Sequence, residues 1–451
     1  MPPHLNILGK PISFWFEWLI FAFFASFFIA PTTSSSAALV LSILALAWLI
    51  RARPALDRGD LVFAIAMILP ALLYALSMSA HGWNWRYLDR PAHLIYGIPL
   101  FLVVRRIGVR PLIPLVGLAI GVIASFPLSA YQRFALGQDR AMGILSGGDF
   151  GNLAGSLAVG LALSAYCLRG AQLAKSQRLL LGTLLAASMF GFLISIWSGN
   201  RTAWVAYFVI LAVCLPMLLR SLRRTTLLYA LVASSMIVLF LLLPDLRHRM
   251  AIGVDEVTAY LTAPAGAKAA STSLGIRMQS IALGLDICST HPWTGIGILE
   301  FKRLAARLAA AGAIAPEIPN FFGMLHNQFL DACVLLGIGG VLMQVAFWLL
   351  ILIPEVRLVQ RADSLEARAL SLTLLCISLG YFVSATGGSM FGSSKGTLFL
   401  AMAWASLTAT GWQRRASPTE LSVNLLKAPP TLNRAPPSTS VAGATDKPPR
   451  P

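Results

Sequence analysis

Residues 226–244 read TLLYALVASSMIVLFLLLP, a run with no charged side chain. At about 1.5 Å per residue, a helix of that length spans nearly the whole ~30 Å hydrocarbon core of a bilayer. The same reading applies at 61–80, LVFAIAMILPALLYALSMSA, which is also free of charge. It applies again at 11–30, where Glu17 is the single ionisable residue. Working outward, the 451 residues are 57% hydrophobic and only 12% charged. The mean hydropathy is +0.74. Soluble domains carry about 25% charged residues, so a water-soluble globule is excluded. The chain is read as an all-α polytopic membrane protein.

Twelve helices are predicted, at 11–30, 36–50, 61–80, 93–104, 111–128, 150–168, 179–197, 202–219, 226–244, 333–354, 369–386 and 396–410. The formal charge of +17 rests on 35 Lys and Arg against 18 Asp and Glu. In a soluble chain that would suggest nucleic acid; between apolar spans it reads as topology, with no nucleic-acid partner. With the N-terminus inside, the loops 51–60, 105–110, 169–178, 220–224 and 355–368 carry three basic residues each. The inside total is then 22 and the outside total 13, seven of them in one long loop. This bias places both termini in the cytoplasm. Residues 1–10 form the cytoplasmic N-terminus and 11–410 the membrane domain. The proline-rich 411–451 reads as a disordered cytoplasmic tail. The stretch 245–332, between the ninth and tenth helices, has helix-like apolar spacing around 276–287 and 301–311. It is predicted to be a folded, partly helical extracytoplasmic cap, with a flexible Ala, Gly and Thr-rich piece at 261–274.

Cys167, Cys214, Cys288, Cys333 and Cys376 lie mostly in or beside apolar runs and read as buried thiols. Cys288 faces the oxidising side in this topology, without an evident partner. No clustered thiols or imidazoles suggest zinc, and no HExxH, Walker A or dinucleotide fingerprint is present, so no cofactor is expected.

The candidate chemistry lies on the outer face. Arg201 follows Ser198-Gly199-Asn200 in a tight turn between two apolar helices. Its ordinary reading is a snorkelling or capping arginine; its functional reading is an anion ligand. Arg277 opens an amphipathic stretch of the cap. Two guanidiniums on one face suit a diphosphate, because each offers several fixed donors and a permanent charge. His326 precedes a span, and histidine is the side chain best suited to proton transfer near neutrality. Asn327 is placed either to orient a sugar or to cap the following helix. Trp293, in His291-Pro292-Trp293-Thr294-Gly295-Ile296-Gly297, either stacks on a sugar or anchors the cap at the interface. In that turn His291 reads as architecture. Arg133 and Arg140 straddle a polar stretch before Gly147-Gly148-Asp149, an edge suited to lipid phosphate or glycan.

In that order and placement, these motifs resemble the O-antigen ligase and polymerase superfamily, and within it the WaaL-type lipopolysaccharide O-antigen ligases. The matching elements are Ser198-Gly199-Asn200-Arg201, Arg277 ahead of the His291–Gly297 turn, and His326-Asn327. Asn200 departs from the commoner Ser-Arg form and leaves the cation in place. The resemblance implies a metal-independent glycosyltransferase of the bacterial inner membrane, with its site facing the periplasm. Its donor would be an undecaprenyl-diphosphate-linked O-polysaccharide and its acceptor a hydroxyl of lipid A–core. Arg201 and Arg277 would hold the diphosphate, and His326 would activate or position the acceptor, with inversion at the anomeric carbon. A related polymerase, which elongates lipid-linked glycan, is the alternative. A transporter of lipid-linked glycan is a further one, disfavoured by the scarcity of ionisable residues in the middle spans.

Overall fold

The computed structural model describes residues 6–7, 9–145, 147–169, 175–219, 221–242, 244–262, 272–320 and 325–412. Most of the predicted tail, the extreme N-terminus, 263–271 of the Ala, Gly and Thr-rich piece and 321–324 lie outside the described residues. Apart from a two-residue antiparallel pairing of Asn6–Ile7 with Lys10–Pro11, the described chain is helical. The helices are α1 Ile12–Ser26, α2 Pro31–Ala52, α3 Arg58–His81, the single turn α4 Asp89–Ala92, α5 Gly97–Ile107, α6 Leu112–Ala130, α7 Gly147–Leu168 and α8 Lys175–Ser198. They continue as α9 Arg201–Leu219, α10 Leu222–Leu242, α11 Pro244–Thr262, α12 Ser273–Thr290, α13 Gly297–Ala310, α14 Gln328–Arg361, α15 Leu365–Gly387 and α16 Ser394–Gly411.

Nine of the described helices are long and apolar enough to cross a bilayer: α2, α3, α6, α7, α8, α9, α10, α14 and α15. The protein is an all-α, multi-pass membrane protein. The expected number of spans was twelve, and the three that fall short do so for different reasons. α1 has 15 residues and α5 only 11, the latter preceded by one turn of α-helix and a short 3-10 segment at His93–Tyr96. α16 carries Ser, Thr and Gly along its length and is buried almost throughout. A helix that faces protein rather than lipid can accept such residues.

α7 and α15 form the centre, each with 83% of its apolar window buried inside the protein. Small residues let them approach: a β-carbon at Gly380 would overlap Ser156, and Gly160 lies against Thr373. Hydrogen bonds then join the pair. Ser164 Oγ donates to Ala369 O at 2.7 Å and Asn152 Nδ2 to Gly380 O at 3.2 Å. In hydrocarbon such bonds each contribute roughly 0.6–2 kcal/mol, while the close packing supplies dispersion contacts.

At the α3 N-terminus, Arg105 pairs with Asp57 and Asp60 at 2.7 Å, and Arg106 reaches Asp60 at 2.6 Å. The Arg105 guanidinium pulls the Asp57 carboxyl down to about 2. The 51–60 and 105–110 loops, two of the basic loops of the sequence reading, therefore meet at one end of the bundle.

The other end of α3 meets the 245–332 stretch, which carries α11, α12 and α13. α14 is 34 residues long, or ~51 Å, too long for one straight crossing. It breaks at Leu336 and Gly337, where φ is −146° and 59°. A break leaves backbone groups without helical partners, and in a membrane protein these must be satisfied by neighbours. The His291–Gly297 turn does so: Ile296 N–H donates to Val334 O at 2.9 Å and Ile338 N–H donates to Pro292 O at 2.7 Å. Ser77 Oγ donates to Leu335 O at 2.9 Å. Gly295 and Gly337 both have positive φ, and a β-carbon at either would overlap backbone of the facing segment. Gly337→Ala is therefore expected to cost more than ~2 kcal/mol, since both the left-handed backbone and the contact forbid the methyl group. Thermal unfolding in detergent checks this; a midpoint like wild type would contradict the interlock.

Cys288, at the end of α12, and Cys333, in the first part of α14, form a disulfide with Cα atoms 6.0 Å apart. This corrects the reading of Cys333 as a buried thiol and supplies the partner Cys288 lacked. Cys167, Cys214 and Cys376 are free and buried.

Candidate functional site: a cationic pocket beside a neutral histidine

The pocket begins with the turn between α8 and α9. Gly199 takes φ 62°, which reverses the chain in a single residue. Ser198 Oγ donates to Ser195 O at 2.7 Å, and Asn200 Oδ1 accepts the Thr202 N–H at 3.1 Å. Asn200 thus serves as the cap of α9. Gly151 of α7 packs against this turn, where a β-carbon would overlap Ser198 Oγ. Arg201 is consequently the first residue of α9, at the positive end of the helix dipole.

Two further segments close on the turn. Ala141 N–H donates to Trp197 O at 3.0 Å, which anchors Arg140 beside it. Gln132 braces the same loop through paired bonds with Gly143 at 2.8 and 3.0 Å. From the other side comes α12, capped by Thr272, whose Oγ1 accepts the Gly275 N–H at 3.0 Å. Together they enclose a cavity of about 300 Å³ lined by Arg140, Met142, the Ser198–Arg201 turn, Ser273, Leu274 and Arg277. Two helix N-termini and three guanidiniums thus surround one small volume. Backbone N–H groups at a helix start and arginine forks are both anion ligands. Burial, and then the neighbouring Arg201 and Arg140, lower the Arg277 pKa below its ordinary value. That crowding of like charge favours occupation by an anion.

His326 is the remaining candidate for chemistry. Its φ is 53°, a left-handed conformation uncommon outside glycine and costing on the order of 1–3 kcal/mol. The flanking residues hold it there. Leu325 N–H donates to the buried Asp331 carboxylate at 2.8 Å. Asn327 Oδ1 accepts the N–H groups of Phe329 and Leu330 at 3.0 and 3.1 Å, while its Nδ2 donates to Thr386 O at 3.0 Å. Burial, reinforced by the Arg277 cation, pushes the His326 imidazole down to about 4. It is therefore uncharged at neutral pH.

The structure brings Arg140, Arg201 and Arg277 to one cavity; His326 does not line it, and its tie to the site is the electrostatic effect of the Arg277 cation on its imidazole. The other sequence candidates lie elsewhere. Asn327 spends its side-chain hydrogen bonds on capping α14 and on Thr386, the capping alternative of the sequence reading. Arg133 donates to Gln138 O at 3.1 Å and does not line the cavity. Trp293 is 79% exposed in the turn that fills the α14 break, and does not line the cavity either. The side chain of Asp149 lies outside the described residues. Asn327→Ser keeps a capping oxygen, so transfer should stay within a few-fold of wild type; Asn327→Ala should cost ~1 kcal/mol of stability. A large loss of turnover in the folded serine variant would make Asn327 a substrate contact.

Sequence reasoning missed Glu256. It comes from α11 and accepts from Arg201 Nη2 at 3.0 Å. No local pattern marks it, because its partner is 55 positions away. Among the described residues, no group of three or more His, Cys, Asp or Glu gathers in a way that could hold a metal ion.

Fold and site together define a multi-pass helical membrane protein with a cationic pocket. Residues 185–345, which include Arg201, Glu256, Arg277 and His326, match the family model described as O-antigen ligase. A Haemophilus influenzae (strain ATCC 51907 / DSM 11121 / KW20 / Rd) protein, described as "Uncharacterized protein", is 22% identical over 404 residues. That similarity covers 87% of this chain and 97% of the relative.

Proposed function

We propose that this protein is an O-antigen ligase-type glycosyltransferase of the inner membrane. It would move a polysaccharide from undecaprenyl diphosphate to a hydroxyl of lipid A–core oligosaccharide at the periplasmic face. The observation that carries the reading is the three-arginine cavity, with a neutral histidine under the electrostatic influence of Arg277, within or beside the segment that matches the ligase family. The periplasmic assignment draws support from the Cys288–Cys333 disulfide, since such bonds persist in oxidising compartments, and from the basic-loop bias.

The chemistry is a single displacement. The acceptor oxygen bonds to the anomeric carbon as the bond from that carbon to the diphosphate oxygen breaks. The electron pair leaves with the lipid diphosphate, and the hydroxyl proton passes to His326. Arg140, Arg201 and Arg277 stabilise charge where it develops, a role that requires no metal ion. Attack opposite the leaving group inverts the anomeric centre. A bond to the acceptor forms only if both lipid-bearing substrates reach the pocket from the bilayer, so lipid is a necessary partner.

Reconstituted protein, lipid-linked O-polysaccharide and lipid A–core, with EDTA and no nucleotide, test the reading. A ladder on lipid A–core is the expected result. Lengthened lipid-linked glycan without product on the core would make the protein a polymerase. Donor crossing the bilayer without transfer would make it a transporter.

A further inference from the structure

Glu256 is the described carboxylate that pairs directly with a guanidinium of the pocket, at 3.0 Å from Arg201. The pair is partly shielded, with side-chain exposures of 13% for Glu256 and 29% for Arg201. Gly253 lies one turn earlier on the same face of α11, since residues three apart are neighbours on a helix. A β-carbon at Gly253 would overlap Arg201 Nη1. α11 therefore offers Arg201 a bare backbone surface at 253 and a carboxylate at 256. Glu256 also acts on Arg277, whose pKa it raises against the opposing effect of burial and the other arginines.

The charge balance follows. Three guanidiniums against one carboxylate leave the described pocket with a formal charge of +2. A sugar linked through a diphosphate diester carries two negative charges, and a sugar linked through a phosphodiester carries one. Once the sugar departs, the lipid diphosphate holds close to three negative charges near neutral pH, because the last phosphate proton has a pKa of about 6. We propose that Glu256 is a specificity-determining residue that trims the pocket to the charge of a sugar-diphosphate diester, and so keeps the more highly charged leaving group from being held too tightly. This inference rests on the glycosyltransferase reading above. Without Glu256, Arg201 would lose its competing carboxylate and the pocket would stand at +3. Every anion would then bind more tightly, the leaving group most of all, and binding shared by ground state and product does not speed turnover.

The test uses the full-length protein in neutral-lipid nanodiscs with three probes: a farnesyl-diphosphate-linked sugar, the corresponding farnesyl-monophosphate-linked sugar, and farnesyl diphosphate. Glu256→Gln keeps the side-chain shape, and Glu256→Ala provides a second variant should the amide create a new hydrogen bond. Asp255→Asn changes the net charge equally on the adjacent exposed position. Both Glu256 variants should bind farnesyl diphosphate about 3- to 10-fold more tightly at low salt, the diphosphate sugar less so and the monophosphate sugar least. In turnover, the donor KM and kcat should both fall. Asp255→Asn should bind like wild type. Equal tightening by Asp255→Asn would reduce the effect to long-range charge and overturn the proposal. Unchanged or weaker binding in both Glu256 variants would also overturn it, leaving the ion pair as a brace for α11. Arg201→Ala tells the two levels apart. If it binds the probes as wild type does, the anion-pocket reading itself fails, whereas its loss of binding alongside unaltered Glu256 variants removes only the charge-matching role.

Discussion

Arg201→Ala and Arg277→Ala are each expected to lower glycosyl transfer by about 10²–10³-fold, the usual loss when one preorganised charge donor is removed from a reacting centre. Both line the same cavity, in which the proposed reaction has the diphosphate gain charge. Arg140→Ala belongs with them by geometry, although it lies outside the segment matched by the ligase family. The comparison is Arg303→Ala. Arg303 is 73% exposed and pairs with Glu300 on its own helix at 3.4 Å, a surface pair worth at most about 1 kcal/mol. It should transfer like wild type. Initial rates on lipid A–core, with each variant's unfolding midpoint measured in parallel, decide the matter. Equal residual rates in Arg201→Ala, Arg277→Ala and Arg303→Ala would remove the arginines from the reaction.

His326→Ala should leave donor binding intact and lower kcat by about 10²–10⁴-fold, the range expected when a positioned proton acceptor is lost. Normal turnover at saturating donor would rule out the base role. The pH profile is a second handle. An imidazole held at about 4 is neutral across pH 5–8, so the acid limb of kcat/KM assigned to this group falls below pH 5 rather than near 6.5. Removing the Arg277 cation should raise the His326 pKa. In Arg277→Gln the acid limb of the residual activity should therefore move to higher pH. A limb at the same pH in both proteins would show that another group titrates.

The spans could be read without any tertiary information because the bilayer imposes its own rule. A backbone that enters hydrocarbon must satisfy its hydrogen bonds within the segment, so a charge-free run such as 226–244 has one solution. The rule weakens where helices are buried in protein. α16 escapes it with its Ser, Thr and Gly positions, and the 93–107 region breaks into short pieces that no apolar window resolves. The site was half legible. Arg201, Arg277 and His326 stood out as polar groups where apolar helices begin or end. Trp293 and Asn327 stood out by the same signal but are placed by folding needs: one sits in a turn that fills the α14 break, and the other caps a helix.

By itself the amino-acid sequence determined the helical, multi-pass class of this protein, because solvation in lipid acts on local runs of residues. It also singled out Arg140, Arg201, Arg277 and His326 as candidates for the site. Only the tertiary structure decided that Arg140 shares a cavity with Arg201 and Arg277, that Glu256 opposes Arg201, and that Cys333 is the partner of Cys288. Those facts arise from contacts between residues tens of positions apart. Coulomb and covalent partners are set by distance in space, which no periodicity along the chain encodes.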